Sequence, residues 1–284
     1  VLASFARGFA SVGASPVILV TTLLAVLALW VAFTLYGAGI VASSGAMVQF
    51  MALPPARTFL DLGFLLQFGR AELPGALAFG VGIIMFRALL TGFLVAAIDD
   101  TLRAQGSWRR TLATGAHGAI GAFWVVLAFE VGFVVATLFV ESLTLVMGAQ
   151  VGGLLYFAWL IGGVYFFGYC EVVAVVERTG FRDSLVLAIR AARLPGREHA
   201  LFVFSYEVVA IVLSTFALGR GIATATPSLT VWVSALLLAY LHVSVLAAFT
   251  WRWALVAEPV RAGAGARGSR PRRPSILGML GPRS

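Results

Sequence analysis

The chain has no lysine and no asparagine, a single cysteine, and little charge of either sign, with only 11% of its residues charged. The missing lysine and asparagine look like a GC-rich codon bias and exclude no class of function. The lone cysteine, Cys170, lies inside an apolar segment, which rules out an internal disulfide and any cysteine-based metal cluster. The scarcity of charge is the informative absence. A chain of 284 residues that is 61% hydrophobic, with a mean hydropathy of +0.99, has too much apolar surface for a soluble core of ordinary size. Its natural solvent is lipid. Enzyme signatures are missing too: there is no His-Glu-x-x-His zinc helix, no Gly-x-Ser-x-Gly elbow, no P-loop, and no glycine-rich dinucleotide turn between a strand and a helix.

Six apolar runs are long enough to cross roughly 30 Å of hydrocarbon at 1.5 Å per residue. They cover approximately 16–41, 74–98, 118–140, 151–176, 200–218 and 229–251. The first follows Arg7 and could pass for a signal peptide, but it is longer than a usual signal core and five further runs follow it. The net charge of +8 could suggest nucleic acid. The arginines, however, fall mainly in connections and in the tail, so membrane topology explains them better and no nucleic-acid partner is expected. Sixteen lie at the N-terminus, in 99–117, in 177–199 and from 252 onward, while the opposite loops hold only Arg57, Arg70 and Arg220. The positive-inside rule then puts both termini in the cytoplasm of a multi-pass protein of a bacterial plasma membrane. Trp251 and Trp253 flank Arg252 at the inner end of the last run, the pattern of an interfacial anchor.

The two cytoplasmic connections resemble each other. "WRRTLATGAHGAIGAF" from Trp108 and "FRDSLVLAIRAARLPG" from Phe181 each follow a glycine and begin aromatic, Arg, any residue, Ser or Thr, Leu. In the second, Phe181, Leu185, Ala188, Ile189 and Ala192 share one helical face, and Arg182, Asp183, Arg190 and Arg193 gather on another. This predicts a helix lying on the membrane surface, with Arg182, Arg190 and Arg193 touching anionic headgroups. "FARGFASVGASPVIL" at the N-terminus is a fainter third copy, with Pro16 as a good first helical residue. The expected fold is therefore all-α: six transmembrane helices arranged as three units, each an elbow helix followed by a hairpin. An ordinary basic loop entering a span would look similar.

The elbow "GFRDSLVLAIRAARLPG" and its echo "GSWRRTLATGA" resemble the six-helix membrane domain of bacterial glycerophosphodiester phosphodiesterases and the related YciC-type membrane proteins. The resemblance covers roughly residues 1–256 and includes no catalytic motif. It implies the fold, since members with a known activity owe it to a separate soluble phosphodiesterase domain.

The domain is expected to span 1–256, followed by a basic, disorder-prone tail over 257–284. Arg267, Arg270, Arg272 and Arg273 in the tail suit anionic headgroups at up to about 1 kcal/mol each, although a plain solvated tail has the same composition. Between the first two runs, a stretch broken by Pro54 and Pro55 carries Arg57 and Asp61 one helical turn apart. It reads as an interfacial helix that is either a packing cover or a lid. Gly148 with Gly152, and Gly162 and Gly163, read as sites of close helix packing. Glu198 and His199, beside the second elbow, suit headgroup contact better than a metal.

Five ionisable residues fall within the runs: Arg87, Glu130, Glu171, Glu207 and His242. Charges near a helix centre cost about 2.5 to 3.5 kcal/mol on insertion scales, so these side chains should face protein or water. Counting from the cytoplasmic helix ends, Arg87 and Glu130 both lie roughly 17 Å deep, Glu171 and Glu207 roughly 8 to 10 Å, and His242 roughly 14 Å. Arg87 and Glu130 therefore read as a structural ion pair or a ligand site. Glu171, Glu207 and His242 read as an inner group that either handles protons or cations, or is held by hydrogen bonds from neighbours such as Tyr165, Tyr169, Ser205 and Tyr206. No cofactor and no metal is expected. The function expected from all this is a non-enzymatic membrane module, acting as scaffold, assembly partner of another membrane protein or lipid-handling accessory. A proton-coupled or small-solute transporter is the alternative.

Overall fold

The computed structural model describes residues 2–32, 73–103, 107–194, 199–208, 212 and 229–262. Every regular element among them is a helix: α1 (Leu2–Ala14), α2 (Pro16–Ala32), α3 (Leu73–Arg103), α4 (Trp108–Met147), α5 (Ala149–Phe167), α6 (Cys170–Glu177), α7 (Phe181–Ala192), α8 (199–208) and α9 (Leu229–Ala262). Four stretches are long and apolar enough to cross a membrane, namely Leu73–Arg103, Trp108–Met147, Gln150–Glu177 and Leu236–Glu258. The bent pair α1–α2 makes a fifth if taken as one span. Their outward faces are apolar, with Ile120, Trp124, Val135, Phe139 and Leu154 exposed, as expected of a membrane protein. Of the fifth expected span, only α8 and Val212 are described. The connection with Arg57 and Asp61, Glu198, and the tail with Arg267, Arg270, Arg272 and Arg273 lie outside the described residues.

The hairpin of α3 and α4 is the largest helix contact, and glycine makes it possible. A Cβ at Gly92 would come within 3.0 Å of the Ala119 backbone, and one at Gly118 within 2.8 Å of the Gly92 carbonyl. Phe93 lies against Gly115. At the basic end of this hairpin, Asp100 accepts from Thr111 Oγ1 at 3.0 Å and pairs with Arg110 Nε at 3.1 Å. These contacts correct the elbow expected at "WRRTLATGAHGAIGAF". The segment is continuous with the following span in one helix of 40 residues, about 60 Å long. Gly115 and Gly118 serve packing against α3, and no proline interrupts the helix.

The turn from α4 to α5 consists of Gly148 alone, whose φ of 79° favours a residue without a Cβ. A Cβ at Gly152 would come within 2.8 Å of the Thr144 carbonyl, and Trp159 Nε1 donates to Thr137 Oγ1 at 2.8 Å. Gly148 and Gly162, by contrast, have nothing within 4 Å of a Cβ, and at Gly163 a Cβ would meet the Phe133 ring at an ordinary 3.7 Å, so of the glycines expected to pack closely only Gly152 does so. The break between α5 and α6 at Gly168 admits the Phe249 ring, which a Cβ would meet at 2.7 Å.

The N-terminal elbow is a helix, and α1 meets α2 at 86° on either side of Ser15. Yet α1 is no free surface helix. Ser4 meets Arg252, Gly8 meets Ser244 and Ala248, and Phe9 meets Tyr240. The pairing descends along α9 as it climbs α1, so the two helices run antiparallel, and the apolar face of α1 is spent on protein.

The amphipathic α7 does form as expected. Ser184, Ala188, Ala191 and Ala192 are buried, while Arg182, Asp183 and Arg193 are exposed and Arg190 is half-buried. Phe181 stacks on Phe129 of α4, with ring centroids 4.5 Å apart, but remains 44% exposed. Replacing Phe181 and Leu185 together by Asp should therefore sharply lower the membrane-inserted yield in a fractionation assay. Unchanged yield and thermal stability would make α7 an ordinary solvated segment.

Candidate functional site

The innermost polar group sits between α3, α4 and α6. Arg87 is fully buried, and Glu130 and Glu171 are each 3% exposed. Arg87 Nε stands 3.8 Å from Glu130 Oε1, an ion-pair distance beyond hydrogen-bond reach. Glu171, in the first turn of α6, is close enough to feel the charges of both. Among the described residues, Glu130 Oε1, Glu171 Oε1 and Thr91 Oγ1 have no hydrogen-bond partner. Thr91 lies one helical turn from Arg87 on α3, so it shares that face. Two buried carboxylates beside one guanidinium carry a formal negative charge unless one carboxyl holds a proton. The arrangement is chemically suited to taking up a proton or a small cation.

Glu171 therefore keeps company with Arg87 and Glu130. His242 meets a different partner: the Tyr206 hydroxyl makes a short contact with His242 Nδ1, and both residues are fully buried. Glu207, next to Tyr206 on α8, is also fully buried. The hydroxyl and imidazole share a hydrogen bond, so this pair belongs to a second polar group in the bundle. Depth counting along each helix gave the level of these residues but not their position around the helix axis.

The third polar group lies at the basic end, where α1 meets α9. Arg252 donates from Nε to Tyr169 Oη at 3.3 Å and from Nη1 to Ser4 Oγ at 3.5 Å. The Arg7 guanidinium lies 4.2 Å from the centroid of Trp251. His199 Nε2 faces the Tyr165 carbonyl at 2.9 Å, and its ring stacks on Tyr169. Nearby, Trp253 Nε1 donates to Glu177 Oε1 at 2.9 Å, and Arg261 pairs with the same oxygen. Trp253 is thus a buried clamp with 1% exposure, not the interfacial anchor expected of it. Its N–H found a carboxylate on α6, and a buried indole donor needs such a partner. The sequence signalled this group only through Arg252 between two tryptophans, and Ser4 and Tyr169 were not foreseen as Arg252 partners.

Among the described residues, no group of three or more His, Cys, Asp or Glu side chains could hold a metal ion. The chain matches no family model, no curated protein and no solved structure with which it was compared.

Proposed function

We propose that the protein is a non-enzymatic integral membrane module that handles lipid or assembles with another membrane protein, built on the six-helix elbow architecture its sequence resembles. It resides in the bacterial plasma membrane with six spans and both termini in the cytoplasm. The observation that carries this reading is the basic end of the bundle. There α7 presents Arg182 and Arg193 outward beside an exposed Phe181, the side-chain pattern of a segment that meets headgroups and acyl chains together. Native mass spectrometry of the full chain released from gently solubilised membranes tests it. Retained phospholipid or a stoichiometric protein partner is expected, and a bare chain under conditions that preserve other complexes would count against it.

The orientation has its own test. Cysteine labels placed near Gly221 and in the tail should report opposite sides of the membrane, and labelling from the same side would sink the topology.

A second reading, a proton-coupled or small-solute transporter, draws on the buried Arg87, Glu130 and Glu171. Substrate-dependent pH change in proteoliposomes would favour it. Glu171→Gln should then abolish the signal while leaving the fold intact.

A further inference from the structure

The group where α1 meets the end of α9 has hydrogen-bonding capacity of a particular kind left over. In both bonds from Arg252 the hydroxyl oxygens of Ser4 and Tyr169 are acceptors, so each hydroxyl keeps its own proton to donate. Arg7 adds a second guanidinium, held over Trp251 on an otherwise exposed side chain. His199 offers the opposite capacity. Its Nε2 faces a carbonyl, which only accepts, so Nε2 carries the hydrogen and Nδ1 of the neutral ring is an acceptor. His199 is 3% exposed, and Nδ1 is buried with no hydrogen-bond partner among the described residues. The ring lies against Tyr169, centroids 5.3 Å apart, close enough to Arg252 to feel its charge.

Arg252, the Ser4 and Tyr169 hydroxyls and the buried His199 acceptor form one connected set, and Arg7 lies one helical turn from Ser4 on α1. The guanidiniums and hydroxyls suit a phosphodiester anion, and the imidazole nitrogen suits a hydroxyl attached to it. An ammonium headgroup would be repelled by both arginines. We propose that Ser4, Arg7, Tyr169, His199 and Arg252 form a binding site for an anionic phospholipid with a hydroxylated headgroup, of the phosphatidylglycerol type. The inference rests on the reading of the protein as a lipid-handling module and names the lipid class.

The test is a thermal-melt titration of the purified, delipidated full chain with four probes: short-chain phosphatidylglycerol, phosphatidic acid, phosphatidylcholine and inorganic phosphate. Phosphatidylglycerol should raise Tm saturably, and Arg252→Gln should weaken the apparent affinity about tenfold, the loss of one charge-assisted contact. Arg7→Gln, on an exposed side chain that the fold does not need, should weaken it about threefold and keeps the test decisive if Arg252→Gln fails to fold. His199→Phe preserves the stacked ring and should erase the preference for phosphatidylglycerol over phosphatidic acid. Equal shifts with phosphatidylcholine would overturn the site, and equal shifts with inorganic phosphate would overturn its assignment to a lipid. Wild-type affinity in both arginine variants would also overturn it, yet phospholipid retained in native mass spectra would leave the lipid-handling reading standing. A chain that retains no phospholipid and shifts with none of the probes would remove both.

Discussion

Replacing Arg87 by Met should cost the folded protein about 3 to 5 kcal/mol, the usual consequence of stranding a charge whose buried partner has been removed. Here two carboxylates lose their cation at once, because Glu171 as well as Glu130 feels the guanidinium. The reverse variant, Glu130→Leu, should be milder, since Glu171 remains to answer Arg87. Combining the two should recover part of the loss, and adding Glu171→Gln should recover more, because none of these three positions then holds a buried charge. Folded yield and chemical unfolding in mixed micelles would read these differences. Strict additivity of the Arg87 and Glu130 effects would show that the pair is not energetically linked. A stable triple variant that has lost a transport or binding activity would instead assign the three residues to a ligand.

The second large effect is expected at Gly118. A Cβ there would lie 2.3 Å from that of Ala96 and 2.8 Å from the Gly92 carbonyl, and the second of these neighbours is backbone that cannot rotate aside. Gly118→Leu should therefore push α3 and α4 apart and cost at least about 1 to 3 kcal/mol, the range for overpacking a tight interior. The expected sign is a lower Tm with weakened proximity between Asp100 and Arg110, readable as slower cross-linking of cysteines placed at those two positions. Gly121, three residues on, has nothing within 4 Å of its Cβ position. Gly121→Leu should leave Tm nearly unchanged. Equal damage from both substitutions would mean that helix flexibility, not close approach, is what glycine supplies.

The contrast between these glycines marks where the sequence was readable. The apolar runs announced the helices, since length and hydropathy are properties of each segment alone. The count of residues from the helix ends put Arg87 and Glu130 level, and the structure sets them face to face. Neighbours around a helix axis are another matter. The depth of Glu171 alone does not choose its neighbours, because a one-residue rotation of 100° changes the partner while barely changing the depth. Amphipathic segments were ambiguous for a related reason. The pattern at Phe5 and Arg7 is the same whether the apolar face rests on lipid or on α9, and the glycines of "TGAHGAIGA" read equally well as a break or as a packing seam. Trp253 and Glu177 carry no mutual signal, since 76 positions separate the donor from its acceptor.

The packing of α1 along α9 sets an order of events. The hydrogen bonds that join them link residues 231 and 248 positions apart, from Tyr240 to Phe9 and from Arg252 to Ser4. At roughly 5 to 20 residues per second, ribosomal synthesis leaves α1 waiting roughly 12 to 50 seconds before its partner exists. Throughout that interval Ser4, Gly8 and Phe9 have no α9 to meet. An amphipathic helix is the form of segment that can float at a bilayer surface meanwhile, then be captured when α9 arrives. The amphipathic pattern of residues 2–14 thus suits two surroundings in turn, a bilayer surface before α9 is made and the α9 contact after it.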